Sequence, residues 1–171
     1  MKNHLSLIIL LFSLFCTGQQ NKSISKDIYT SAIKNAVDDF REKSSLLKND
    51  NIFSVSYKIL NSNFIQINII GNSNKFYIDG DKPINRLPTN YLEFNNKIFY
   101  WYDDNEIKLN TSIISKLQEY GLIEYNADII EYSRDDKKKS ISYYFCTKDL
   151  TNYKKVKSNS LKIKIPKLSC K

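Results

Sequence analysis

The chain has 171 residues, with 26 Lys or Arg against 18 Asp or Glu and a net charge of +8. Its one histidine is His4, inside an apolar leader, so the remainder can build neither a Ser-His-Asp or Cys-His nucleophile nor a histidine-bound zinc or iron site. Only Gly71, Gly80 and Gly121 follow Gly18, which excludes a phosphate loop and a dinucleotide fingerprint, and no cofactor, metal site or catalytic residue is expected.

Met1-Lys2-Asn3-His4 is a short basic start, Leu5 to Phe15 is apolar except for Ser6 and Ser13, and Cys16-Thr17-Gly18 supplies small residues before Gln19. That order is the one found in secretory signal peptides. The apolar run is too short to span a hydrocarbon layer of about 30 Å, so an exported, non-spanning protein is expected, periplasmic or secreted. Cleavage after Gly18 is the expected processing. Lipid anchoring at Cys16 is the alternative, disfavoured because bulky Phe15 stands where such sites carry a small residue. The expected organisation is a signal peptide over 1–18, a flexible start over 19–25 and a single domain over 26–171.

Ile28, Ala32, Ile33, Ala36, Val37, Phe40 and Leu47 recur at three- and four-residue spacing with charges between them, which predicts an amphipathic helix over about 26–47. From Ile52 the period becomes two: Phe53, Val55, Tyr57 and Ile59, then Ile65, Ile67 and Ile69 after Asn61-Ser62-Asn63, which predicts a β-hairpin. A third strand is expected over 75–79. Tyr91 to Phe94 and Lys97 to Tyr102 flank Asn95-Asn96, a pair suited to the left-handed residues of a tight hairpin turn. A short helix near 111–120, with Ile113, Ile114 and Leu117 inward, should stop at Gly121. Strands are expected at 123–125, 129–133 and 140–147, and a final hairpin from 153–157 and 161–165. One long helix followed by hairpin-connected strands predicts an α+β domain, the helix packed on an antiparallel sheet.

Charge is unevenly placed. Residues 137–171 hold 11 lysines and one acid, Asp149, a net of +10, whereas the rest holds 15 basic and 17 acidic residues. Lys154, Lys155, Lys157, Lys162 and Lys164 of the final strands are the candidate anion-binding residues, facing an anionic glycan, lipopolysaccharide, lipid headgroups or an envelope protein. Protection of a sheet edge against aggregation is the plainer account of alternating lysines. Nucleic acid is disfavoured, because the stretch has no Arg.

Tyr100, Trp101 and Tyr102 form the densest aromatic run and are a candidate stacking platform, against the plainer expectation of a strand covered on both faces. Asp103, Asp104 and Glu106, with Asp79 and Asp81, could hold Ca²⁺ or supply a carboxylate pair for glycan hydrolysis. Solvated turn acids are the expectation preferred for them. With Cys16 removed or lipidated, Cys146 and Cys170 are left as one pair, and export predicts a disulfide between them. The function that follows is a non-enzymatic exported binding protein, with a small carboxylate-dependent glycan hydrolase as the alternative.

Overall fold

The apolar stripe near the N-terminus becomes a helix, α1 (Lys26–Lys43), in the computed structural model, which describes residues 25–43, 50–72, 74–103, 111–126, 140–158 and 165–170. Residues 44–47 of the expected helix, the strand expected at 129–133, the signal peptide expected over 1–18, and Lys162 and Lys164 lie outside the described residues. Tyr29, Ala32, Ile33, Ala36, Val37 and Phe40 are all 5% exposed or less. Burial of each large apolar side chain in that stripe contributes roughly 1.5–3 kcal/mol, which holds the helix against the sheet. No described helix is long and apolar enough to cross a membrane.

The stripe packs on a six-stranded sheet made of β1 (Ile52–Asn61), β2 (Phe64–Gly71), β5 (Asn90–Phe94), β6 (Lys97–Trp101), β8 (Ser140–Cys146) and β9 (Asp149–Ser158). Its order is β5-β6-β1-β2-β8-β9. β1 and β2 form the expected hairpin, with Val55 opposite Ile69 and Tyr57 opposite Ile67. The β5–β6 turn is Asn95-Asn96, both at positive φ (47° and 57°), a conformation asparagine tolerates better than most residues. Every pairing is antiparallel except β1 with β6, which run parallel and set Phe53 beside Phe99. These two rings stack at 4.8 Å, and Phe40 of α1 meets both edge-on, at 5.1 and 5.9 Å.

Three short strands do not join this sheet. β3 (Phe76–Asp79) pairs with β4 (Lys82–Pro83) and, in parallel, with β7 (Ile123–Tyr125). The second helix, α2 (Thr111–Glu119), completes this layer by burying Ile113 and Leu117. Gly121 at φ 66° ends it: the Leu122 N–H donates to the Leu117 carbonyl at 2.8 Å and the Gly121 N–H to the Gln118 carbonyl at 2.9 Å, a Schellman closure. Phe76, Ile78, Leu87, Ile113, Leu117 and Leu122 form a second core on the face of β6 remote from α1, around Ile98 and Tyr100. The fold is therefore α+β as expected, with two sheets and one parallel contact in each.

Of the final hairpin expected from 153–157 and 161–165, the first arm falls within a strand and most of the second lies outside the described residues. Residues 149–158 make one ten-residue strand whose partner is β8, with Tyr143 opposite Lys155 and Tyr144 opposite Lys154. Residues 161–164 lie outside the described residues, and 165–170 are in no strand. Thr147 and Lys148 suffice as a turn between β8 and β9, so the long edge strand finds its ladder upstream.

Candidate functional site

β9 alternates its side chains between the two faces of the sheet, which divides the basic cluster. Lys155 and Lys157 share the face of Tyr143 and α1, and Lys154 points to the opposite face with Tyr144. Lys148, Lys154, Lys157 and Lys167 are exposed. Lys154 donates through Nζ to the Lys167 carbonyl. Lys155 is a correction to the anion-binding set. Its ammonium lies 2.5 Å from Asp39 Oδ2 and 5.3 Å above the Tyr143 ring centroid, so it is committed to an internal partner.

Asp39 itself lies on the flank of the α1 stripe and is 9% exposed. Its carboxylate accepts from Lys155, from Lys43 Nζ at 3.0 Å, and from the Tyr143 and Tyr153 hydroxyls at 2.9 Å each. Burial pushes the Asp39 carboxyl up, but the Lys155, Lys43, Tyr153 and Tyr143 donors outweigh it and hold the group well below the usual carboxylate range. The Tyr143 hydroxyl is raised by burial first and then by the same carboxylate. A stabilised anion and a tyrosine held neutral make a poor acid–base pair near neutrality, whereas they make a firm attachment of α1 to β8 and β9.

A second attachment sits at the other end of α1. Asp103 is wholly buried, not the solvated turn acid expected of it, while Asp79 and Asp81 are exposed as turn acids are. The Asp103 carboxylate lies 2.9 Å from Lys26 Nζ and accepts from the Tyr29 hydroxyl at 3.1 Å, and its backbone N–H donates to Thr89 Oγ1 at 2.7 Å. Burial is the first cause, and the bond to Asp103 the second, that pushes the Tyr29 hydroxyl up to about 12. Asp104 and Glu106 lie outside the described residues.

The aromatic platform is also a correction. Tyr100 is 1% and Trp101 5% exposed, because Trp101 packs under α1 and Tyr100 in the second core. Tyr102 is half-buried, edge-on to Tyr100 at 6.3 Å, with the Arg86 guanidinium 5.3 Å from its ring centroid. A strand with a core on each side leaves no flat aromatic surface for a sugar.

Cys146 and Cys170 are joined, with Cα atoms 5.7 Å apart. What the sequence reading missed is the pair of buried carboxylates. The available signals were weak: Asp39 lies three residues after Ala36, at the stripe's margin, and Asp103 directly follows an unbroken aromatic run. Neither signal names the tyrosines and lysines that complete the clusters.

Compared with family models, with curated proteins and with solved structures, the chain matches none of them.

Proposed function

We propose that the protein is an exported, non-enzymatic binding protein that meets an anionic partner, such as an acidic glycan, lipopolysaccharide or lipid headgroups, along the basic edge of its main sheet. The observation that carries this reading is the exposure of Lys148, Lys154, Lys157 and Lys167 on and beside β9, the edge strand of the six-stranded sheet among the described residues. Lysines on both faces of one edge strand meet an extended anionic surface from either side, and their field adds to that of the lysine-rich stretch as a whole. Export is supported by the basic, apolar and small-residue order of residues 1–18 and by the Cys146–Cys170 bond, which suits an oxidising compartment.

The two buried carboxylates favour binding over glycan hydrolysis. Asp39 and the Tyr29 that contacts Asp103 are ten residues apart on one helix, about 15 Å along its axis between their backbone positions, so the two acids belong to separate clusters near opposite ends of α1. A glycosidase pair needs about 5 to 9.5 Å, and here each acid is already neutralised by its own lysine. The test is retention of the processed protein on an immobilised polyanion and on vesicles containing anionic lipid, across a salt series. Lys148→Gln/Lys157→Gln should elute at lower salt with an unchanged circular dichroism spectrum, and each lost contact should flatten the salt slope by roughly one unit. Elution identical to the unsubstituted protein would leave the lysines as edge protection only.

A further inference from the structure

Ser140, Ser142, Tyr144 and Cys146 of β8 point away from α1, yet each is 5% exposed or less. The segment 165–170 is anchored on both sides of Tyr144. Lys154, directly across the ladder from Tyr144, donates to the Lys167 carbonyl, and Cys146, two residues along on the same face, is bonded to Cys170. Pro166, Leu168 and Cys170 are half-buried and alternate with exposed Ile165, Lys167 and Ser169, the pattern of an extended segment lying one side down. Leu168 lies between the anchors and shares the half-buried side of the segment with Cys170, whose bond to Cys146 is on the Tyr144 face of β8. The segment adds no strand to the sheet among the described residues, so it lacks the ladder of bonds that would hold it unaided.

The covered face carries a defect. Burial pushes the Tyr144 hydroxyl up, and the neighbouring Ser142 hydroxyl opposes this. Ser142, however, donates to Asn68 Oδ1 at 3.0 Å, and no hydrogen bond closes on the Tyr144 oxygen. An unpaired buried hydroxyl disfavours the closed arrangement by a factor of roughly 5 to 150. That load disappears when the segment lifts and water reaches the oxygen.

We infer that segment 165–170 is a redox-released strap: the Cys146–Cys170 bond holds it over Tyr144, and reduction of that bond by a dithiol frees it while the sheet beneath stays folded. Cys170 is half-buried and Cys146 only 2% exposed, so the reductant's thiolate attacks the Cys170 sulfur and expels the Cys146 thiolate. The reductant's second thiol then displaces Cys170, forming the reductant's own disulfide. Two electrons pass from the dithiol to the bond, and two protons end on Cys146 and Cys170. β8 remains fixed because β2 and β9 pair with it on either side.

The test uses the processed full-length chain in two arms. In the first, the oxidised protein and Cys146→Ser/Cys170→Ser are treated with tetranitromethane and nitrated tyrosines are mapped by mass spectrometry. Tyr144 should react at least about tenfold faster in the variant, because the covalent anchor is gone and the unpaired hydroxyl then weighs against a strap held chiefly by the Lys154–Lys167 bond. Tyr143, on the opposite face and fully buried, should not change. Equal protection of Tyr144 in both proteins overturns the strap, and a parallel rise at Tyr143 overturns it too, by showing that the bond holds the fold as a whole. In the second arm, unsubstituted protein and Tyr144→Phe are reduced with dithiothreitol, desalted and alkylated with iodoacetamide. Cys146 should react about fivefold or more slowly in Tyr144→Phe, because deleting the hydroxyl removes the load on the closed strap. Equal Cys146 rates in the two proteins would refute the claim that the unpaired hydroxyl drives opening.

Discussion

Replacing Asp39 with alanine removes the acceptor shared by Lys43, Lys155, Tyr143 and Tyr153. Lys43, whose side chain is 63% exposed, returns to water and contributes little to the loss. The Tyr143 hydroxyl is buried and stays unpaired, which costs about 1–3 kcal/mol. Lys155, at 22% side-chain exposure, is partly rehydrated, so its share falls below the 3–5 kcal/mol of a fully buried broken pair. A total near 3 kcal/mol follows, a large part of the roughly 5–15 kcal/mol that holds a domain together. Urea unfolding followed by fluorescence of Trp101, the sole tryptophan and 5% exposed beneath α1, reads it directly. With a slope of about 2 kcal/mol/M the midpoint should fall by about 1.5 M. Adding Tyr143→Phe to Asp39→Ala should restore about 1 kcal/mol, since the stranded hydroxyl is then gone. The folded-state pKa of Asp39 is lowered, so its contribution is present above the unfolded carboxylate value near 4 and is lost as pH falls below it. The gap between the two proteins should therefore narrow in acid. A midpoint change under about 0.3 M at neutral pH would refute the reasoning, because the cluster would then be ornamental to stability.

Three other outcomes are expected. Tyr29, Tyr100 and Tyr143 all have raised pKa values with burial as the first cause, so their stabilisation is complete below the unfolded value near 10 and is lost as pH rises beyond it; alkaline titration at 295 nm should show these tyrosines ionising only together with unfolding. Asp103→Asn keeps an acceptor for Tyr29 and lets half-exposed Lys26 turn to water, so thermal unfolding should report a loss of about 1 kcal/mol, whereas Asp103→Ala should lose about twice that. Gly121→Ala forces a side chain onto φ 66° at the end of α2 and should cost about 1 kcal/mol by the same measurement, with nothing lost by clash because no atom lies within 4 Å of the added carbon.

Local rules made α1, the β1–β2 hairpin, the Asn95-Asn96 turn and the Gly121 stop legible, since each depends on residues a few positions apart. The disulfide was legible by elimination, because Cys146 and Cys170 are the only cysteines after Cys16. Long-range partners were not legible. Nothing near Asp39 indicates Tyr143, Tyr153 or Lys155, which lie 104 to 116 residues away, so a helical position at the stripe's edge read as solvent. The period of two in Phe99 to Trp101 correctly divides the side chains between faces. It cannot say that both faces are covered, because the second cover comes from β3 and α2, elements outside the hairpin run. The alternation of lysines on β9 was visible for the same local reason, and the capture of one of them by a helix carboxylate was hidden for the same long-range one.

The attachment of α1 to β8 and β9 also sets an order of assembly. α1 is the earliest described element, yet the two hydroxyls and the Lys155 ammonium that satisfy its Asp39 carboxylate beside the local Lys43 are more than 100 residues downstream, and β2 must wait for β8 across a separation of 74 residues at the Ser142–Asn68 bond. Chains dominated by such distant pairings fold slowly, because loop closure is paid before the contacts that reward it exist. During synthesis the apolar face of α1 has only the β1–β2 hairpin to rest on, so most of the chain emerges before the helix can be locked in place. A protein built this way cannot close its main core until its last described strands have been made.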